Sequence, residues 1–389
     1  MEKKKRIGTY IRSSVVAGEY YDSYIPRPLP PDPPLCVDEF YLLLDHANAA
    51  LGRLDGLCAA LPDTSILLYM YIRKEAVLSS QIEGTRSSLS DLLLSENTGA
   101  SGVPSDEDVV SVSRYVRAMK YGIECLEKLP LSLRLIREIH ERLMDRERDS
   151  HARPGEFRTS QNWIGGPRPS TARFVPPPAE NLMECLGSLE NFLHDKTIRL
   201  PALVKAALVH AQFETIHPFL DGNGRVGRLL ITFTLYAWGI IKEPLLYLSL
   251  YFRINRPAYY DHLQAVRETG DWEAWIRFFL EGVIETADQA ALTAKAVAGL
   301  FEKDEARIES SGKSTPGLLK IYDHLKHCPV STTTGIRERR GVSLPTVIRG
   351  LGRLELLGIV KEITGRERNK IFVYAEYLDI LNRDTEAIY

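Results

Sequence analysis

The stretch HPFLDGNGRVGRLL, residues 217–230, decides how the rest of the chain is interpreted. Its first twelve residues hold a histidine, a proline, an acid, three glycines and two arginines, and the stretch then becomes apolar. Pro218 ends the helix-period segment before it, because proline cannot continue a helix. A second helix is expected to open through Arg225. The pattern therefore predicts two helices joined by a glycine-rich loop, with His217 at the exit of the first.

Several features of this loop favour binding of a phosphorylated ligand. Glycines let successive backbone N–H groups converge, and the next helix adds the positive end of its dipole. Arg225 and Arg228 share a helix face and oppose that dipole, which indicates a strongly anionic partner. Asp221 supplies a hard oxygen for Mg²⁺ beside phosphates. His217 can accept a proton near neutral pH.

Two other chemistries fit part of the same stretch. GNGRVG satisfies the GxGxxG pattern of dinucleotide-binding loops, and Glu243 lies about twenty residues on. That loop must follow a strand, however, and a helix-period segment precedes Gly222. His210, Glu214 and His217 share a helix face with metal-ligand spacing, but no second carboxylate–histidine set appears. We expect His210 to be a hydrogen-bonded core residue.

Composition bounds the class of protein. The chain has 389 residues, which suggests two or three domains, and its net charge of -2 implies no global affinity for nucleic acid or membrane. Its five separated cysteines argue against a disulfide framework or a zinc site. No apolar region follows the basic N-terminus, and the longest apolar run, 229–241, is too short to span a bilayer. We expect a cytoplasmic location and no membrane partner.

The chain is predicted to be mainly α-helical and to divide into four segments. Residues 1–36 end in IPRPLPPDPPL, whose six prolines predict an extended arm that packs as a strap. Residues 37–105 and 106–308 carry apolar residues at helical spacing and are expected to form an N-terminal helical segment and a catalytic core. Within the core, residues 154–178 predict a loop or small β-hairpin. Residues 309–389 follow a linker-like stretch.

The last segment is predicted to be a winged helix-turn-helix domain. Its order is helix, short helix, turn, helix and two β-prone pieces. The apolar core is expected to contain Leu344, Val347, Ile348, Leu351, Leu354 and Leu357. The region from residue 337 to 370 has nine Lys/Arg and four Glu. Arg349 and Arg353, with a wing of Arg366, Arg368 and Lys370, would suit DNA phosphates. The alternative is a protein-binding module with solvated arginines.

The opening stretch resembles the Fic-domain signature, HxFx(D/E)GNGRxxR. Each specified position is filled, by His217, Phe219, Asp221, Gly222, Asn223, Gly224, Arg225 and Arg228. Residues 155–178, GEFR…NWIGG…FVPPP, are similar to the substrate-binding flap of that family. Residues 255–280 are similar to the helices that close its nucleotide pocket. The resemblance covers about residues 37–295 and implies the Fic helical core.

The resemblance implies a protein adenylyltransferase, which transfers AMP from ATP to a Ser, Thr or Tyr hydroxyl of a target protein or of itself. His217 would be the general base, Asp221 would hold Mg²⁺, and Phe219 would pack inward. The residues implied to bind ATP phosphates are Gly222, Asn223, Gly224, Arg225, Val226, Gly227 and Arg228. The residues expected on the adenine side are Thr215, Tyr251, Tyr259 and Tyr260. The flap would present the target segment as an added strand.

The stretch SSQIEGT, residues 79–85, ends an amphipathic helix. Gly84 is a natural residue to follow a helix, whereas the dipole disfavours a carboxylate at Glu83. An exposed glutamate at a fraying end is the ordinary interpretation. The pattern also resembles the (S/T)xxxE(G/N) inhibitory helix of class II Fic proteins, matched by Ser79, Glu83 and Gly84. That resemblance implies that Glu83 pairs with Arg228 and leaves ATP bound unproductively.

Two classes of function stay open at this point. One is the autoinhibited adenylyltransferase, in which the intact GNGRxxR favours ATP over a CDP-linked donor or UTP. The other is a DNA-binding regulator whose Fic-like core senses nucleotide without turnover. The family resemblance also implies a homodimer.

Overall fold

The computed structural model describes residues 3–16, 19–60, 63–98, 107–144, 149–312, 315–366, 370–383 and 385–386. This part of the chain is mainly helical, as predicted, with small antiparallel sheets. The helices are α1 Tyr41–Ala60, α2 Ser65–Ile82, α3 Leu89–Thr98, α4 Glu107–Leu126, α5 Leu133–Leu143, α6 Leu182–His194, α7 Ala202–Ile216, α8 Asn223–Ala237, α9 Ser249–Ile254, α10 Arg256–Thr269, α11 Trp272–Ser310, α12 Pro316–His327, α13 Thr333–Arg340, α14 Leu344–Leu356 and α15 Ala375–Asn382. The strands are β1 Thr9–Val16, β2 Glu19–Ile25, β3 Val330–Thr332, β4 Lys361–Glu362 and β5 Ile371–Val373.

The chain divides into two compact units. The first contains Met1–Leu51, Arg114–Pro244 and Tyr251–Thr286, and the second contains Gly52–Ser113, Leu245–Leu250 and Ala287–Tyr389. The four predicted segment boundaries stay predictions. None of the described helices is both long and apolar enough to cross a bilayer.

Helices α7 and α8 form the centre of the first unit. Every residue of α7 from 203 to 216 is buried except the half-buried Lys205, because the helix is apolar on most sides. Gly227 of α8 packs against α7 so closely that a Cβ there would lie 2.3 Å from Glu214 Oε1. The predicted core role of His210 is confirmed, since Nδ1 donates to the Gly227 carbonyl at 2.9 Å and Nε2 accepts from the Tyr259 hydroxyl at 2.8 Å.

The N-terminal segment contains a β-hairpin that the sequence analysis did not predict. β1 pairs antiparallel with β2, from Thr9 opposite Ile25 to Val16 opposite Glu19. Both strands are rich in β-branched and aromatic residues, which favour strands. The prolines that follow them instead led to the prediction of an extended arm. The Tyr24 amide donates to the Val175 carbonyl at 2.9 Å, which ties the hairpin to the flap segment.

The proline-rich part after the hairpin lies along the first unit as a strap. The buried Arg6 guanidinium donates to the carbonyls of Pro33 and Pro34, at 2.7 and 2.6 Å. The same guanidinium donates to the buried carboxylate of Glu273 at 2.8 Å. The Gln212 side chain of α7 donates to the Arg27 carbonyl at 2.8 Å. The strap is thus held through its backbone carbonyls.

In the second unit, the elements from α12 to β5 follow the predicted order. Strands β3, β5 and β4 form an antiparallel sheet in that spatial order. Val347, Leu351 and Leu354 are fully buried, as predicted. The predicted burial of Leu344 and Ile348 is wrong, because these side chains are 37% and 56% exposed.

The basic residues of this segment lie in different surroundings. Arg349 of α14 is exposed, whereas Arg353 is half-buried and donates to the Ser311 carbonyl at 3.1 Å. Leu357, at the end of α14, is half-buried. In the predicted wing, Arg366 and Lys370 are described, and Arg368 lies outside the described residues. The winged-helix assignment stays a prediction.

Candidate active site

His217 ends α7 in a left-handed conformation, with φ 50° and ψ 61°. This conformation is uncommon for a residue other than glycine. Pro218 explains why the helix stops here, since a proline disfavours the right-handed helical region for the residue before it. The His217 amide still donates to the Phe213 carbonyl at 2.9 Å. The turn therefore places the imidazole at the helix exit, as the sequence predicts.

The contacts of the His217 ring determine which of its two nitrogens can accept a proton. Nδ1 lies 3.3 Å from the Glu214 carbonyl oxygen, which can only accept, so Nδ1 carries the proton in the neutral ring. Glu214 Oε2 lies 3.8 Å from the same nitrogen. Nε2 is then the nitrogen that accepts a proton. The side chain is 19% exposed, so a ligand can reach it from solvent.

The loop between α7 and α8 is closed by the side chain of Asn223. Its Oδ1 accepts from the Phe219 amide and its Nδ2 donates to the Phe219 carbonyl, both at 2.8 Å. The side-chain amide of Asn223 therefore holds the loop, and the phosphate-binding role of Asn223 stays a prediction. Its backbone N–H lies in the first turn of α8, where amides lack an intrahelical partner.

Asp221 and Gly222 form the turn into α8. Gly222 caps the helix with φ 77°, a left-handed conformation that glycine adopts without strain. Its amide donates to the Asp221 carboxylate at 2.6 Å. Asp221 is exposed, so its carboxylate oxygens can also reach a cation from solvent. The donor set fits Mg²⁺, which prefers carboxylate oxygen and keeps several waters.

The predicted phosphate-binding residues of α8 divide into two groups. Gly224 and Arg225 are half-buried in the first turn, and Arg228, one turn on, is 2% exposed. The guanidinium of Arg225 lies 3.5 Å from the Met144 sulfur. Val226 is 2% exposed, and Gly227 lies against α7. Val226 and Gly227 therefore contribute packing.

His140 of α5 is a site residue that the sequence analysis missed. Its Nδ1 accepts from the Gly155 amide at 2.9 Å, so Nε2 carries the proton and donates to the Asp221 carbonyl at 3.1 Å. Burial lowers the pKa of His140 to about 4, which keeps the ring neutral near pH 7. It thereby joins the start of the flap segment to the loop. Its position in the helical stretch LRLIREIHERL gave no local signal of this contact.

Arg158 and Asn162 hold the same loop from the flap side. Arg158 Nε and Asn162 Nδ2 both donate to the His217 carbonyl at 3.0 Å. Arg158 also donates to the Pro177 carbonyl at 2.6 Å, and Asn162 to the Phe219 carbonyl at 2.8 Å. Burial lowers the pKa of Arg158 to about 10, which still leaves it charged at neutral pH. From the sequence, GEFR and NW are assigned only to the flap.

The flap, residues 155–178, contains one antiparallel bridge. It joins Ile164 and Phe174, with hydrogen bonds of 2.9 and 3.1 Å between their backbones. Gly165 and Gly166 follow with φ of 70° and 97°, which turns the chain. A small hairpin was predicted here, and the structure reduces it to this bridge and its turn.

The four residues expected on the adenine side lie in different surroundings. The Thr215 hydroxyl donates to the Ala211 carbonyl and accepts from Arg267 Nε, at 2.8 and 3.1 Å. Tyr259 is 1% exposed and bonds to His210. The Tyr251 hydroxyl donates to Glu281 at 3.3 Å, and the half-buried Tyr260 ring lies under the guanidinium of Arg256. Thr215 and Tyr259 are engaged in the core, and the adenine-side role stays a prediction.

The predicted inhibitory residues lie at the end of α2 in the second unit. Ser79 is fully buried, and Glu83 is exposed at the helix C-cap. Gly84 has φ 105°, which confirms its predicted place just beyond the helix.

Two family models match the chain between residues 41 and 235. One, described as Fic/DOC family N-terminal, matches residues 41–124, and the other, described as Fic/DOC family, matches residues 130–235. The chain contains a Fic domain preceded by a Fic N-terminal segment. The second match contains His217, the loop, His140 and the flap, whereas the adenine-side tyrosines and the inhibitory residues lie outside it.

Named relatives and solved structures agree with this assignment. The Fic chain is 35% identical over 166 residues to a protein adenylyltransferase Fic of Aedes aegypti, a match of 41% of this chain and 29% of the relative. A protein of the same name from Drosophila grimshawi is 32% identical over 180 residues, 44% of this chain and 32% of the relative. The chain thus spans about a third of the length of these curated relatives.

Two solved Fic structures share the fold. A Fic family protein from Desulfovibrio desulfuricans G20 aligns with a TM-score of 0.56 at 18% identity, covering 88% of this chain and 98% of that one. A Fic domain containing signaling protein from Bacteroides thetaiotaomicron aligns with a TM-score of 0.50 at 20% identity, covering 65% and 95%. At these identities the likeness concerns the fold alone.

Proposed function

We propose that the chain is a protein adenylyltransferase that transfers AMP from ATP to a hydroxyl side chain of a target protein or of itself. The observation that carries the proposal is the turn at His217. Its Nδ1 contact leaves Nε2 as the proton-accepting nitrogen, and residues 218–222 lead from His217 directly into the first turn of α8. The relatives are named protein adenylyltransferases, which supports the same activity.

The chemistry follows from this arrangement. His217 Nε2 takes the proton from the target hydroxyl, whose oxygen then attacks the α-phosphorus of ATP. The bond from the α-phosphorus to the oxygen that bridges it to the β-phosphorus breaks, and pyrophosphate leaves. The first amides of α8 and the arginine side chains stabilise the charge that develops on the phosphoryl oxygens. The Glu214 carbonyl holds Nδ1–H, so the basic nitrogen stays Nε2 throughout.

Magnesium is the cofactor that we propose for this reaction. The exposed Asp221 carboxylate would hold it, and the bound ion would neutralise charge on the α- and β-phosphates. His140 fixes the backbone of the same residue through its carbonyl. The position of the Asp221 main chain is therefore set by the protein before any ion binds.

An inhibitory role for Glu83 is part of the proposal. The glutamate ends α2 next to Gly84, with a carboxylate that is exposed and disfavoured by the helix dipole. Pairing with Arg228 would withdraw that arginine from the γ-phosphate. The gain on pairing would offset the unfavourable position of the carboxylate at the helix end.

The test uses radiolabelled ATP with the full chain. We expect label from α-³²P-ATP, but none from γ-³²P-ATP, to become protein-bound, and His217→Ala to abolish it. His194→Ala, at the exposed end of α6, is the matched control and should label as the parent does. If UTP or a CDP-linked donor labels the protein better than ATP does, that compound is the donor and ATP is not. If the parent protein binds ATP and labels nothing, the chain is a nucleotide sensor and not an enzyme.

The rival function is a DNA-binding regulator, and one observation favours it. The order α12, β3, α13, α14, β4, β5, with the sheet order β3-β5-β4, supports a winged helix-turn-helix assignment. In such a domain α14 would be the recognition helix, with Arg349 exposed on it. Binding to a DNA duplex that weakens steeply with salt would support this function.

A further inference from the structure

The last turn of α7 contains a carbonyl group that its own helix cannot satisfy. In an α-helix each carbonyl accepts a hydrogen bond from the amide four residues on. The partner of the Glu214 carbonyl would belong to residue 218, which is a proline without an N–H group. This carbonyl therefore needs donors from side chains, and it is the one that receives Nδ1–H of His217.

Arg267, in the last turn of α10, supplies a second donor to the same oxygen. Its Nη2 donates to the Glu214 carbonyl at 3.1 Å, so this oxygen accepts from both Arg267 and His217, with one lone pair for each. Arg267 Nε donates to the Thr215 hydroxyl at 3.1 Å. Two bonds from one planar guanidinium to successive residues hold the end of α7 in one orientation.

The same guanidinium contacts the flap. Its central carbon lies 4.0 Å from the centroid of the buried Phe174 ring, which is the geometry of a cation–π contact. Phe174 forms the antiparallel bridge with Ile164. One side chain thus contacts both the carbonyl that holds the base and the segment expected to present the target hydroxyl.

The surroundings of Arg267 are costly for a cation. The residue is 5% exposed, and its hydrogen bonds go to uncharged acceptors, namely the Glu214 carbonyl, the Thr215 hydroxyl and the side-chain oxygen of Gln264. Burial lowers the pKa of Arg267 to about 10, which leaves the guanidinium charged near neutral pH. An apolar side chain would avoid this cost, so what the arginine adds here is directed hydrogen bonding at the end of α7.

We propose that Arg267 is a positioning residue that holds the His217 imidazole in register with the flap. The inference rests on the proposed transfer reaction, because it concerns the base of that reaction. His217 Nε2 can take the proton only when the ring is turned toward the hydroxyl, and the bond from Nδ1–H to the Glu214 carbonyl turns it. Arg267 keeps this acceptor in place and joins it to Phe174, so the base and the flap keep one relative position.

Kinetics of the full chain test the role. Arg267→Met keeps an apolar stem of similar length and removes every donor. We expect kcat for transfer of label from α-³²P-ATP to fall about 10- to 100-fold, because a misdirected base loses alignment with the hydroxyl. KM for ATP should change by less than about twofold, since binding of the nucleotide is not what Arg267 controls. Arg267→Lys keeps one charge but cannot reach both acceptors at once, so its kcat should lie between.

Gln264→Met is the matched control for these variants. It removes another partner of the same guanidinium and leaves the bonds to Glu214 and Thr215 intact. It should therefore label as the parent does. Circular dichroism checks the fold of each variant, and if Arg267→Met does not fold, Arg267→Lys decides through a lowered kcat at an unchanged KM.

A spectroscopic measurement follows the ring itself and needs no turnover. In the full chain labelled with ¹⁵N-histidine and held above neutral pH, the His217 signals are assigned by their loss in His217→Ala. They should show a protonated Nδ1 and an unprotonated Nε2. In Arg267→Met they should move toward a mixture of the two neutral tautomers, while the signals of His210, in the core of the same helix, keep their parent values.

The outcomes separate this role from the proposed reaction. If the parent transfers label and Arg267→Met keeps both the parent kcat and the parent ring signals, the positioning role is overturned. A raised KM for ATP with an unchanged kcat would overturn it as well and would place Arg267 in nucleotide binding. If the parent labels nothing, the transfer reaction fails by itself: a shift of the His217 signals in Arg267→Met still supports the positioning of the ring, and unchanged signals exclude it.

Discussion

The imidazole of His140 lies flat against the ring of Phe219, with centroids 3.8 Å apart and planes inclined by 9°. Its two nitrogens bond to Gly155, at the start of the flap segment, and to Asp221, in the loop. With the pKa lowered to about 4 by burial, the ring is neutral at the pH where His217 would act as a base. His140 is therefore a positioning residue for the loop.

Replacing His140 by Phe should keep the stacking and remove both hydrogen bonds. We expect kcat for label transfer to fall about 10- to 100-fold, because a loop displaced by a fraction of an ångström misaligns the reacting atoms. In the profile of rate against pH, the limb near neutral pH should not shift, because His140 is uncharged in that range. His194→Phe is the control. Loss of activity together with loss of the neutral-pH limb would instead assign proton transfer to His140.

The guanidinium of Arg158 is the main donor to the carbonyls around the loop. Arg158→Met keeps the length of the side chain but leaves the carbonyls of His217 and Pro177 without this donor. We expect a loss of about 2–4 kcal/mol in the free energy of unfolding, from urea titration. Arg199→Met, at an exposed position, should change it by less than about 0.5 kcal/mol. Equal losses in the two variants would contradict the anchoring role.

Removal of the Glu83 carboxylate tests its proposed inhibitory role. Glu83→Gly should raise the rate of label transfer about tenfold or more, which corresponds to the loss of a charge-assisted pair. Glu127→Gly removes an equally exposed glutamate near the end of α4 and should leave the rate unchanged. If the Glu83 variant and the parent label at the same rate, Glu83 is only a helix-end residue.

Gly227 is required by the close packing of α7 and α8. Gly227→Ala would place its Cβ 2.3 Å from Glu214 Oε1, so the buried Glu214 carboxylate must move from its position. We expect a loss of about 1–3 kcal/mol in the free energy of unfolding. Gly52→Ala in α1 meets nothing within 4 Å and should stabilise the chain by up to about 1 kcal/mol through helix propensity. Urea titration of both variants measures the contrast.

The buried Glu273 carboxylate predicts a pH dependence of stability. Burial raises its pKa, but hydrogen bonds from Arg6 and the Cys36 amide outweigh that effect and lower it from 4.5 to about 2. The contribution is full above pH 4.5 and is lost as pH falls through the folded pKa. Glu273→Gln should cost roughly 1–3 kcal/mol at pH 7, and its deficit should narrow below pH 4.5. A deficit independent of pH would contradict an ionic role.

Local sequence patterns predicted the features that local physics controls. Pro218 ends α7, Gly84 follows α2 with a positive φ, and apolar spacing marked the helices. Partners distant in sequence were not predictable in this way. His140 contacts Asp221, 81 residues on, and Arg158 contacts His217, 59 residues on. Helical spacing also failed to tell which apolar side of α14 faces its own core, because Ile348 lies next to the buried Val347 in sequence.

The ion pair between Arg6 and Glu273 joins the two ends of the first unit, 267 residues apart. Both family models start after residue 40, so their limits suggest that the leading segment is dispensable. Recombinant versions that begin at residue 41 would leave the Glu273 carboxylate buried without Arg6 and would lose the strap. Purification tags are therefore better fused at the other terminus, and a shortened protein that aggregates would reveal damage to its folding rather than a defect in catalysis.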